Sequence, residues 1–181
     1  MPIYQNSTVT DAKVEIGNYA MYVSSTPGTT VAGTWINLGA GMVKSFSYEP
    51  VSYTSQAGNA PDPIQGISRE TAKIAIDLIE YDGSSFSILS DGAMTGSSGS
   101  LVVGGQTNVQ GGNGFKLINT RKLASGSTQT TTYVFNFVFM DGGFSTSPKS
   151  DNDADPVNVY TFNLLAKQYL TAQTIFTKTV A

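Results

Sequence analysis

Residues 71–78 alternate strictly. Ala72, Ile74, Ile76 and Leu78 fall on one side of an extended chain, and Lys73, Ala75 and Asp77 on the other. A period of two marks a strand with one buried face, and it obliges the rest of the chain to supply a sheet around it. Asp82-Gly83 then breaks the strand. Ser84 or Ser85 is placed to cap a following helical turn, Phe86 and Leu89 lie three apart on one helical face, and Gly92 suits the positive φ that ends a helix. Residues 64–92 therefore read as loop, long strand, turn and short helix.

The remaining segments repeat the strand signal. A first strand lies in residues 14–24, with Tyr22 and Ala20 out of phase with Met21 and Val23. Thr26-Pro27-Gly28 is a turn, because Pro presets φ and Gly accepts positive φ. Residues 35–39 and 42–53 read as strands, the longer marked as an edge or bulge at Glu49-Pro50, where Pro cannot donate a ladder hydrogen bond. Residues 54–66 read as a polar loop of thirteen residues, long enough to be used for binding. Residues 92–114 hold eight glycines and no charge, with one strand at Leu101-Val102-Val103. Strands follow at 115–123, 130–140 and 157–167, with a polar loop at 141–156. In 130–140, Tyr133, Phe135, Phe137 and Phe139 fall in one phase, and Val134, Asn136, Val138 and Met140 in the other. Residues 1–13 read as an arm, and 168–181 as a further strand or a second arm. The fold class is all-β with one short helix, a β-sandwich or partly closed barrel, in a single domain spanning 1–181.

Composition removes several kinds of chemistry. Without cysteine there are no disulfides or thiolates. Without histidine there is no Ser–His or Cys–His pair and no His-ligated metal. The net charge of −3 and the lack of a basic, aromatic-interleaved patch argue against a sequence-reading DNA binder. No apolar run approaches the ~20 residues that cross a bilayer, and the first residues lack a signal-peptide core. No membrane partner and no cofactor are expected.

Four local patterns invite a functional reading, and each has a plainer one. Asp151-Asn152-Asp153-Ala154-Asp155 resembles the start of a calcium loop, but Pro156 and Phe162 stand where Gly and Glu are needed. Glu80 and Asp82 could be imagined as a glycosidase pair, yet both flank one turn and give no cleft. Gly111-Gly112-Asn113-Gly114-Phe115-Lys116 lacks the Gly-Lys-Ser/Thr ending of a phosphate loop. The aromatic stripe of 130–140 could line a sugar groove, which makes a carbohydrate-binding β-sandwich the alternative function; a stripe of this kind is more often core. Residues 123–140 carry no charge at all, so this strand is either central in its sheet or meant to pair with another chain.

The ordered set Asn18-Tyr19-Ala20-Met21-Tyr22-Val23, Trp35-Ile36-Asn37-Leu38-Gly39, Phe46-Ser47-Tyr48-Glu49-Pro50, Ile64-Gln65-Gly66-Ile67-Ser68-Arg69-Glu70-Thr71-Ala72 and Leu78-Ile79-Glu80-Tyr81-Asp82 resembles the major tail tube proteins of long, flexible-tailed (siphovirus-type) bacteriophages. The resemblance covers about residues 14–92, with 157–166 similar to the family's last strand. It implies a sandwich or barrel of the phage tail tube type, flanked by one helix at 84–92. Six copies would form a ring, and rings would stack into a tube through which DNA is ejected. It implies a structural virion protein and no enzyme, made in the host bacterial cytoplasm. Its partners would be itself, the tape measure, tail terminator and tail tip proteins, and DNA passing non-specifically through the lumen. The long loop would contact an adjacent ring, which makes Glu49, Pro50, Tyr53, Gln56, Asn59, Pro61, Pro63 and Gly66 the expected inter-subunit residues.

Overall fold

The computed structural model describes residues 19–28, 35–55, 64–80, 82–90, 94–97, 100–104, 112–123, 125–150, 157–168 and 174–181. Among the described residues, ten strands and one helix run in the order β1 (Ala20–Ser24), β2 (Ile36–Asn37), β3 (Gly41–Ser55), β4 (Ile64–Leu78), α1 (Gly83–Leu89), β5 (Met94–Ser97), β6 (Ser100–Val103), β7 (Asn113–Lys122), β8 (Thr128–Ser147), β9 (Val159–Lys167) and β10 (Phe176–Val180). One antiparallel sheet has the order β2-β1-β7-β8-β9-β4-β3, with β10 added along β8, and β5-β6 form a separate hairpin. Most pairings join consecutive strands, and three others, β1–β7, β4–β9 and β8–β10, tie distant segments of the chain together.

The sheet curls around its own apolar face. Ala72, Ile74, Ile76 and Leu78 of β4 are all buried, as the alternation requires, together with Met21 and Val23, Phe115 and Leu117, and Phe162, Leu164 and Ala166. The curl brings Phe46 of β3 against strands that lie across the barrel interior. Its ring is 5.6 Å from Phe135 of β8 and 5.3 Å from Phe176 of β10. One edge of the cavity is closed by α1, whose Phe86 ring meets Phe162 at 4.9 Å and Tyr160 at 5.3 Å. Such edge-to-face arrangements add about 1 kcal/mol each to the area buried.

Several elements differ from what periodicity alone suggests. The helix is capped by Asp82, not by Ser84 or Ser85: its carboxylate accepts from the Ser84 and Ser85 backbone N–H groups. Gly92 lies outside the described residues, and the helix ends at Ser90, whose N–H donates to the Phe86 carbonyl. The loop expected at 54–66 is shorter, because Thr54 pairs with Gln65 and Ser55 with Ile64. A strand at Met94–Ser97 joins the one expected at Leu101-Val102-Val103. β8 runs on to Ser147 through residues expected to be loop.

The aromatic stripe is broken. Asn113 pairs with Val138 and Phe115 with Phe135, two steps on β7 against three on β8, so β8 carries a bulge between Phe135 and Val138. The extra residue reverses the phase. Phe135, Val138 and Met140 are buried on the core face, whereas Phe137 and Phe139 stand half-buried on the outer face with their rings 6.1 Å apart. The four aromatics therefore line no common groove. β8 itself is central, flanked by β7 on one side and by β9 and β10 on the other. The absence of charge up to Met140 fits a strand that is paired on both sides.

Candidate assembly surface

Gly41–Ser55 is a terminal strand of the sheet, and among the described residues only β4 pairs with it. Pro50 sits within this edge strand, where a missing N–H leaves no internal ladder bond unmade. The pairing of β4 with its other neighbour stops early. β9 covers β4 from Leu78 to Thr71, where Thr71 meets Lys167, and goes no further. Among the described residues, β4 from Glu70 back to Ile64 is paired with β3 alone. The outer half of the β3–β4 hairpin thus leaves the sheet as a two-stranded finger, seven residues on β4, about 23 Å at ~3.3 Å per residue.

Two strands without a covering layer expose both faces, and this finger is apolar on both. Ile67 is 56% exposed on the side continuous with the core face, and Val51 is 40% and Tyr53 47% exposed on the opposite side; Tyr48, 44% exposed, stands just inside the root, opposite Ala72. Hairpins of this kind are marginal when isolated, so local reinforcements matter. The Tyr53 ring lies over Gly66, its cross-strand partner, so closely that a Cβ at Gly66 would come within 2.9 Å of the ring. An aromatic side chain over a strand glycine restores the packing that the glycine lacks. The Tyr48 hydroxyl donates to the Glu70 carboxylate, and this bond to the anion holds the phenol above its ordinary pKa.

A cleft opens where the finger parts from β9, with a volume of about 470 Å³. Its walls include Glu49 and Val51 from β3, Arg69 and Lys73 from β4, and Lys167 and Gln168 from the end of β9. Lys73 pairs with Glu49 at 3.0 Å, and Gln168 donates to Glu70 at 3.1 Å. The Lys167 ammonium lies 4.7 Å from the Phe139 ring.

The residues expected in the inter-subunit contact fall on this finger in part. Pro50, Tyr53 and Gly66 belong to it, Pro50 opposite Glu70 and Tyr53 over Gly66, while Glu49 stands at its root, opposite Thr71 and in the ion pair with Lys73. Gln56, Asn59, Pro61 and Pro63 lie outside the described residues, as does the Asp151–Asp155 tract. Tyr48, Val51 and Ile67 went unnoticed in the sequence, although apolar residues in both phases of one segment, Phe46 and Tyr48 against Val51 and Tyr53, are the pattern of a two-faced strand. Asp82 is committed to the helix cap and its Oδ2 also accepts from the Ser85 hydroxyl, while Glu80 is exposed. Among the described residues no three carboxylates group to hold a metal ion.

No protein-family model matches the chain, and no curated protein does. Solved structures do. The cap that terminates the tube of the anti-feeding prophage aligns over 100% of both chains with a TM-score of 0.50 at 11% identity. The sheath–tube complex of the PVC extracellular contractile injection system, in its extended state, aligns over 98% of this chain and 99% of that one, with a TM-score of 0.45 at 14% identity. An Hcp protein aligns over 91% and 99%, with a TM-score of 0.37 at 9% identity. The chain has a tail-tube type of fold. The likeness to the cap carries that fold across the whole chain and does not single out long, flexible tails. The finger continues the edge hairpin of β3 and β4, and the cleft lies at its root.

Proposed function

We propose that the chain is a structural subunit of a phage-type tail, a ring-forming protein that stacks into the tube or closes its end and catalyses nothing. The observation that carries this reading is the finger. A tail-tube fold that also extends an unsupported hairpin, apolar on both faces and open along β3, has built a surface whose cost is offset only when another chain covers it. In this reading six copies close a ring, rings stack through their fingers, and DNA passes through the lumen on ejection. A siphovirus-type major tail protein, with tape measure, terminator and tip proteins as partners, is the specific form. A modest net negative charge suits a conduit that phosphate must traverse without sticking.

Purified protein examined by gel filtration and negative-stain electron microscopy at rising concentration tests this. Rings or tubes about 100 Å across, the scale expected for six domains of this size around a channel, are the expected result. A chain that stays monomeric at all concentrations, alone and with other tail proteins, overturns it.

A further inference from the structure

We propose that the finger of one copy plugs the open seam of the next: Ile67 enters an apolar hollow in the curled sheet of a second copy, and Glu70 meets Lys178 at its rim. This rests on the tube-subunit reading above and names the surface that receives the finger.

The sheet curls without closing. Its order ends at β2 on one side and at β3 on the other, and among the described residues no ladder joins them. A hollow of about 70 Å³ lies in that seam, walled by Val43 and Phe46 of β3, Leu117 of β7, Tyr133 and Phe135 of β8, and Tyr19 just before β1. Its lining side chains are aliphatic and aromatic, and Phe46 stays exposed. An aromatic ring needs roughly twice this space, since a cavity of about 150 Å³ takes benzene. The end of a branched aliphatic chain fits, and it would give the walls the dispersion contacts they lack.

The finger offers such a chain. Ile67 is more exposed than either Val51 or Tyr53. A bulge sets its direction: Arg69 pairs with Val51 and Ile67 with Ser52, two steps on β4 against one on β3. The same bulge puts Ile67 and Glu70 on one face. Their partners Ser52 and Pro50 are two positions apart, about 7 Å along β3. The Tyr48 hydroxyl and the Gln168 amide donate to the Glu70 carboxylate and hold it in place. A carboxylate accepts at about four sites, so these bonds leave room for a further donor. The hollow has a cation at a matching distance. Lys178 is exposed, pairs across the ladder with Tyr133, and holds its ammonium 5.0 Å from that ring. An aliphatic side chain with a carboxylate beside it therefore faces a hollow with an ammonium beside it.

The chain does not fill its own hollow. Phe46 and Ser52 lie six positions apart on β3, about 20 Å at ~3.3 Å per residue, and Ile67 is carried away from the seam with Ser52. A second copy supplies the plug. Each copy then offers one finger and one hollow, and a contact between unlike surfaces repeats in a single direction, as stacked rings require.

Charge exchange and cross-linking test this. Glu70→Lys and Lys178→Glu each put like charges at the rim, and each alone is expected to lose stacks in low salt while rings persist. The double variant Glu70→Lys/Lys178→Glu is expected to regain them. Circular dichroism checks that each is folded. The chain has no cysteine, so thiols can be introduced singly. Ile67→Cys protein mixed with Val43→Cys protein and treated with a short bis-maleimide is expected to give a covalent dimer that neither gives alone. Glu70→Cys with Lys178→Cys is the second pair, should a member of the first fail to fold. Single charge variants that stack like the wild type, a double variant that does not recover, or stacks that yield no mixed dimer overturn the contact and leave the tube reading intact. Ile67→Cys copies cross-linked to one another show finger against finger and overturn it as well. Failure of the wild type to assemble at all overturns both.

Discussion

Asp82 shows how one side chain converts a strand into a helix. Its backbone is extended, at φ −140° and ψ 105°, and its carboxylate takes the two N–H groups that the first helical turn cannot satisfy internally. The Ser85 hydroxyl holds this carboxyl below its ordinary pKa; burial opposes it, and the Ser85 and Ser84 N–H groups add to the lowering. Asp82→Ala is expected to cost about 1 kcal/mol, measured by urea unfolding at neutral pH. Because the folded-state pKa is depressed, the stabilisation is complete above the unfolded carboxyl value and is lost as pH falls through the folded one. The difference between wild type and Asp82→Ala should therefore shrink toward zero in acid. A gap that persists unchanged would mean that the charge of Asp82 contributes nothing. The sequence pointed to the turn and to the buried Phe86 and Leu89, but it placed the cap at Ser84 or Ser85 and read Asp82 only as part of the turn, because locating the first helical residue requires the backbone angles.

At the scale of elements, alternation was readable wherever a strand kept its phase. β1, β4 and β9 bury the residues their patterns indicate, because each has one face on the core for its whole core-facing length. β8 defeated the same reasoning. Its bulge near Asn136 inserts one residue and reverses the faces, and nothing in an uninterrupted run of β-prone residues signals where the ladder will slip. Gly112 on the adjoining segment is the trace it leaves: with φ +75° it sits under the Phe137 ring, where a Cβ would lie 2.2 Å from a ring carbon. Two substitutions separate the broken stripe from a continuous one. Phe135→Ala, at a fully buried position, is expected to cost about 3–5 kcal/mol. Phe137→Ala, on the outer face, is expected to cost about 1 kcal/mol, since only part of its apolar area is removed from water. Equal losses in chemical denaturation would restore the single aromatic face. The finger was half legible for a related reason. A polar segment rich in Gly, Pro and Asp marked its tip, yet the strands on either side run further into it than composition suggests, because cross-strand pairing such as Tyr53 over Gly66 overrides weak local preference.

For the whole molecule, the finger and the core answer to different demands, and they can be separated experimentally. The core is continuous through β1, β4, β7, β8 and β9, and among the described residues no part of β4 before Glu70 pairs with any strand but β3. Shortening the finger should therefore leave the body folded. We expect that replacing residues 56–63 with Asn-Gly, which suits a two-residue hairpin turn, shifts the unfolding midpoint little and leaves rings that no longer stack. Changing the two faces independently is more informative than deletion. Ile67→Ser removes apolar area from the face continuous with the core, and Tyr53→Ser removes it from the other, along with the cover over Gly66. If both faces are sandwiched between neighbouring subunits, each substitution should raise the concentration needed for tube formation by about tenfold, since a large apolar side chain buried at an interface is worth roughly 1.5–3 kcal/mol. Should only one variant show the effect, the finger lies flat on its neighbour with the other face in water. Tubes of normal length from the shortened finger would remove it from the stacking contact altogether.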